Sequence, residues 1–186
     1  MRSLFTPLRL AVAAATLTVS VAPAAVITFS SEMTTGQEVP APNLSGAANP
    51  LGSATAIFDT EARTLQGTMS WSGLTSSAFM AHIHLRPPAA PTGPVLITYF
   101  MLPPESPLGT TGSINTGTLN LTEAQYNGLV AGLPEGRLYF NLHTLQNRPG
   151  EIRGDISPQA VPEPGTWALL TAGLAGILLR AKRRRA

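Results

Sequence analysis

In Leu65-Gln66-Gly67-Thr68-Met69-Ser70-Trp71, apolar or small residues occupy every second position and polar residues fill the gaps. Successive side chains leave a strand on opposite sides, so a period of two marks a strand with one face on a core. The preceding Ala54–Asp59 segment reaches it through Thr60-Glu61-Ala62-Arg63, a loop of hairpin length. The same period returns near the other end. Leu138, Phe140 and Leu142 alternate with Tyr139, Asn141 and His143, and Ile152, Gly154 and Ile156 alternate with Arg153 and Asp155. Val95 to Met101 is a mainly apolar run of strand length, whereas residues 31–53, with Gly36, Pro40, Pro42, Gly46, Pro50 and Gly52, read as loop.

One helix interrupts the strands. Thr122 and Gln125 have the spacing of a capping box, Tyr126, Leu129, Val130 and Leu133 follow helical spacing, and Gly132 offers a stop. Many short strands with one short helix predict an all-β fold, an antiparallel Greek-key-like sandwich or barrel. Roughly 135 residues suffice to bury a modest core of that kind.

Charge is segregated along the chain. Of twelve basic residues, seven lie at the two ends, and residues 25–160 hold five Arg, no Lys and nine acidic residues, a net −4. The pI near 9.5 therefore belongs to the tails. An acidic middle without lysine lacks the cations that neutralise a phosphate backbone, which excludes nucleic acid as a partner. There is no cysteine, so disulfides, thiolate zinc sites and thiol nucleophiles are excluded as well.

Both ends read as addresses. Arg2 and Arg9 precede an apolar run from Leu10 to Val21, and Ala22-Pro23-Ala24 supplies the small residues of a cleavage site. This is the layout of a signal peptide, residues 1–24, removed by signal peptidase. At the other end Pro162-Glu163-Pro164 precedes an uncharged segment, 166–179, and then Arg180-Ala181-Lys182-Arg183-Arg184-Arg185. Fourteen helical residues cover about 21 Å, short of the ~30 Å hydrocarbon core, so this is a minimal membrane contact. Basic residues after the apolar run favour the cytoplasmic side and leave the middle on the exported side.

Residues 161–186 resemble the PEP-CTERM sorting signal of Gram-negative bacteria, in the Pro162-Glu163-Pro164 triplet, the short apolar helix and the cluster ending in Arg183, Arg184 and Arg185. The resemblance implies an inner-membrane intermediate, removal of the tail by an exosortase, and delivery to the cell surface or extracellular matrix. The expected order is signal peptide 1–24, β domain 25–160 and sorting tail 161–186.

The three histidines lie in two strand segments, His82-Ile83-His84 and the 138–143 alternation that ends in His143. His82-Ile83-His84 puts two imidazoles on one face, and His143 shares a face with Asn141. If those strands are neighbours, three imidazoles converge as a set that Cu(II) or Zn(II) accepts. Otherwise they are polar residues closing a sheet edge by hydrogen bonds. A second constellation follows His143, where Pro149-Gly150 marks a turn and Glu151 and Arg153 share a face with the spacing of a structural ion pair. Asn141, Glu151 and Arg153 are thus read as a structural polar cluster. No serine–histidine–aspartate logic or phosphate-cradling loop is present, so no catalytic residue is expected and the domain reads as no enzyme.

Six motifs occur in order: Gln37-Glu38-Val39-Pro40, Gly73-Leu74-Thr75, Ala81-His82-Ile83-His84, Gly93-Pro94-Val95, Asn141-Leu142-His143-Thr144 and Gly150-Glu151-Ile152-Arg153-Gly154. Together they resemble the CHRD domain over about residues 27 to 157. Leu85-Arg86-Pro87-Pro88 departs from that pattern, which has a glycine-bearing turn there. The Gly-Leu-Thr and His-x-His order also resembles Cu,Zn superoxide dismutase, but a fourth copper ligand, the further zinc ligands and the disulfide are missing. The CHRD resemblance brings no established activity with it, and the first expectation is a non-enzymatic extracellular binding or matrix module displayed through the sorting tail, with extracellular polysaccharide or surface proteins as partners. Copper or zinc held by His82, His84 and His143 is the other expectation.

Overall fold

The computed structural model describes residues 25–46, 49–158 and 173. The signal peptide and the 166–179 segment (173 excepted) lie outside the described residues, among which no helix is long and apolar enough to cross a membrane.

The elements are β1 (Val26–Thr34), a 3-10 turn (Thr35–Gln37), β2 (Leu51–Asp59), β3 (Thr64–Ser72), β4 (Ala78–Leu85), β5 (Val95–Met101), β6 (Gly112–Asn120), α1 (Glu123–Gly132), β7 (Leu138–Thr144) and β8 (Ile152–Asp155). They form one sheet in the order β5-β4-β7-β8-β1-β2-β3-β6, with antiparallel pairs throughout. The strand quoted at the outset is β3, and Leu65, Gly67, Met69 and Trp71 are its buried positions. Residues 60–63 form the tight β2–β3 connection, with Asp59 Oδ1 accepting from the amides of Glu61 and Ala62.

The sheet curls until its ends face each other, an all-β barrel-like form. Tyr99, on edge strand β5, donates its hydroxyl to the carbonyl of Thr55 on β2, 3.2 Å away. Its ring fills the space beside Gly67 on β3, where a Cβ would fall 2.4 Å from ring atoms. Trp71 on β3 and Phe100 on β5 stack with centroids 5.9 Å apart. Only a side chain of the size of glycine permits that approach at position 67, and the β3–β6 register slips there in a bulge.

The core is drawn from both halves of the sheet, with Phe29, Phe58, Leu65, Met69, Ile83, Phe140 and Leu142 fully or almost fully buried. Helix α1 covers one side of it. Thr122 and Gln125 form the reciprocal capping box, and Leu129 and Leu133 are buried.

Two strands were illegible as such. Residues 31–34, read as loop, complete β1, whose Ile27, Phe29 and Met33 face the core; the proline- and glycine-rich loop is confined to 38–50. The interruption in its period is Ser31, whose hydroxyl donates to the carbonyl of Asp155. Strand β6 was hidden by its composition. It is an edge strand with no fully buried residue, and only Ile114 and Leu119 pack in part against the core, so its apolar alternation is sparse.

Candidate functional site

His82 and His84 alternate along β4 with core residue Ile83 between them. β4 pairs with β7 so that His82 lies opposite Asn141 and His84 opposite Tyr139. The histidines therefore occupy the interior of the sheet, since β4 is flanked by β5 and β7; the reading that they close a sheet edge is corrected. Their face points away from the barrel core, yet every residue of β7 is buried. Loops cover it as a second, polar layer. His82, His84 and His143 retain only 4, 8 and 5 % of their exposure.

The hydrogen bonds fix the tautomers. A carbonyl only accepts, so His143 Nδ1, 2.8 Å from the Arg148 carbonyl, carries a proton, and so does His84 Nδ1, 2.9 Å from the Gly93 carbonyl. Neutral His143 then presents a lone pair at Nε2, which accepts from His82 Nδ1 at 3.0 Å. His84 Nε2 is buried with no hydrogen-bond partner among the described residues. One ring nitrogen from each histidine lies within 4.8 Å of the other two.

Burial keeps these rings neutral. Loss of hydration lowers His82 to about 3, with the neighbouring His143 and His84 adding to the effect. The same cause lowers His143 to about 4, against the opposing hydrogen bond to Arg148. His84 is lowered too, by burial first.

Tyr139 and Gly93 complete the wall. The His84 ring stacks on Tyr139 at 4.8 Å and 8°, and the Arg153 guanidinium lies 3.6 Å from the Tyr139 ring centroid. Gly93 offers its carbonyl to His84 and its amide to the Tyr139 hydroxyl. A Cβ at Gly93 would stand 2.1 Å from the Leu85 carbonyl oxygen, so glycine alone fits. In the atypical loop after His84, Ala89 takes the left-handed conformation, φ 62°, and Ala90 donates to the Pro87 carbonyl.

Asn141 and Arg153 lie opposite each other on β7 and β8 and both face Glu38, whereas Glu151 and Arg153 do not pair among the described residues. Arg153 instead binds Asp155 at 2.8 Å and the Pro91 carbonyl at 2.7 Å. Glu151 precedes β8 and turns toward Thr75, Thr144 and Asn147. Asn141 donates to Glu38 Oε1 and the Pro149 carbonyl, each at 3.4 Å. Glu38 is a participant that the spacing could not reveal, 103 residues from Asn141. Burial raises it to about 7, outweighing the Val39 amide and the Arg153 charge. Glu38 Oε2 and Asn141 Oδ1 are buried acceptors without partners.

A different surface lies on the outer face of β2, β3 and β6. Ser53, Thr55, Thr68, Ser70, Ser113 and Asn115 line an open depression of about 280 Å³. Ile57 and Gln66 extend it along the strands. Among the described residues, no ionised side chain borders it.

Compared with known families, the chain matches the CHRD domain over residues 29–156 and the PEP-CTERM protein-sorting motif over residues 160–185. No curated protein and no solved structure matches it.

Proposed function

Because the chain belongs to the CHRD domain family and carries a PEP-CTERM sorting motif, we propose that its β domain acts outside the cell as a non-enzymatic module that binds neutral extracellular polysaccharide. The motif makes the chain an exosortase substrate, exported across the membrane and sorted to the cell surface. Retention in the extracellular matrix is the finer reading. Deleting residues 161–186 is expected to leave the protein soluble in the periplasm; fractionation showing undiminished surface delivery would refute the tail's role.

The observation that supports polysaccharide is the uncharged depression bordered by Ser53, Thr55, Thr68, Ser70, Ser113 and Asn115. A hydroxyl both donates and accepts, so it exchanges water for sugar hydroxyls without desolvating a charge. Each such bond contributes only about 0.5–1.5 kcal/mol net, so a single sugar is held weakly. A polymer engaging many displayed copies gains avidity without new contacts. Thr68 is exposed at the centre of this face. The Thr68→Glu protein should lose most of its co-sedimentation with the organism's isolated neutral polysaccharide while keeping its melting temperature. Unchanged co-sedimentation of that variant would remove this face from the proposal.

A further inference from the structure

We propose that His82, His84 and His143 form a binding site for a late first-row divalent metal ion, Cu(II) more tightly than Zn(II). Three observations carry it together. First, one nitrogen from each ring already lies within 4.8 Å of the others, and His82 Nδ1 and His143 Nε2 are 3.0 Å apart. Ligands about 2.0–2.1 Å from a tetrahedral metal stand roughly 3.4 Å from one another. Small side-chain rotations therefore suffice.

Second, the outward nitrogens are held as metal-bound histidines usually are. His84 and His143 each donate Nδ1–H to a backbone carbonyl, which fixes ring orientation and leaves Nε2 with its lone pair. Third, His84 Nε2 is a buried acceptor with nothing to accept from. Such a group keeps the full cost of its lost hydration with no bond to offset it. A metal ion satisfies that lone pair and replaces the bond between His82 and His143, His82 moving its proton to Nε2.

The donor set selects the ion. Imidazole suits copper and zinc, and with three nitrogens and no carboxylate in the cluster it offers nothing to Mg(II) or Ca(II). The order of affinities for a fixed nitrogen site places Cu(II) above Zn(II). Three protein ligands leave a coordination position for water or another small molecule.

The test uses untagged full-length protein in mild detergent, stripped with a chelator. Adding Cu(II) or Zn(II) is expected to raise the melting temperature by several degrees, and Mg(II) to leave it unchanged. The Cu(II) form should show electron paramagnetic resonance couplings to three nitrogens. His84→Asn keeps a side-chain donor for the Gly93 carbonyl but removes Nε2. It should weaken Cu(II) by more than about 100-fold, beyond the ~10–100-fold lost with an outer hydrogen-bond partner. No metal-dependent shift, fewer than three coupled nitrogens in the parent, or undiminished affinity in His84→Asn would each overturn the site. The resonance measurement on the parent decides the matter even if the variant fails to fold.

Discussion

Glu151→Ala is expected to destabilise the protein by about 3–5 kcal/mol, since hydrogen bonds to a charged group contribute about 1.5–3 kcal/mol each and several are lost together. Glu151 is 0 % exposed. Its Oε1 accepts from the Thr75 amide at 2.6 Å, and its Oε2 from Thr75 Oγ1 at 2.5 Å, Thr144 Oγ1 at 2.6 Å and Asn147 Nδ2 at 3.0 Å. Such short distances are those of hydrogen bonds to a charged acceptor. The carboxylate thereby joins the β3–β4 connection, the end of β7 and the β7–β8 turn. Asn147 extends the network to the 38–50 loop, accepting from the Asn43 amide at 2.8 Å and donating to its carbonyl at 3.0 Å. Alanine removes the acceptor of the buried Thr144 hydroxyl, at about 1–3 kcal/mol for a group left unpaired, and leaves the half-buried Thr75 amide and hydroxyl without it. Glu151→Gln should cost less, since the threonine hydroxyls can turn to accept from an amide. Urea unfolding measures both; a loss under about 1 kcal/mol for alanine would show that the network relaxes freely.

Acidification of the chelator-treated protein should weaken it steeply between pH 6.5 and 4. The sign follows from proton uptake. An unfolded histidine binds its proton near 6.5, whereas folded His143 resists until about 4 and His82 until about 3. Stability from these groups is fully present above 6.5 and lost as pH falls toward the folded values. His143 alone accounts for about 3 kcal/mol, at ~1.36 kcal/mol per unit. Glu38 acts in the opposite sense. Its folded value of about 7, against 4.5, stabilises the fold at low pH, and that contribution is lost as pH rises through 7. Three histidines outweigh one carboxyl, so the net change on acidification is a loss. Glu38→Gln removes the opposing group, and unfolding free energies in that variant should fall more steeply over the same range. A flat profile in the parent would mean that the rings are hydrated in solution.

How far this molecule was legible in advance differs from element to element. Alternation in 65–71 and 138–144 identified β3 and β7, and the Thr122–Gln125 spacing identified the start of α1, because local patterning and capping are short-range. β6 was missed because, in an edge strand where only Ile114 and Leu119 pack in part against the core, the alternation is too sparse to read. The Glu151–Arg153 ion pair was expected from spacing alone. It failed because Asp155 stands closer to Arg153, while Glu151 is drawn to Thr75, 76 residues away in sequence.

The sequence by itself determined the β architecture with its one helix, the sorting tail, and which side chains share a face in β3, β4 and β7. These follow from the period of two, from capping and from the order of the terminal segments. Tertiary structure alone decided that the histidine face is buried and that its three rings meet. Alternation states which face a side chain takes, never what covers it. Here the cover is supplied by Gly93 and Arg148, from the β4–β5 and β7–β8 connections folded back over their own strands, and by Glu38, which only the tertiary fold brings to Asn141.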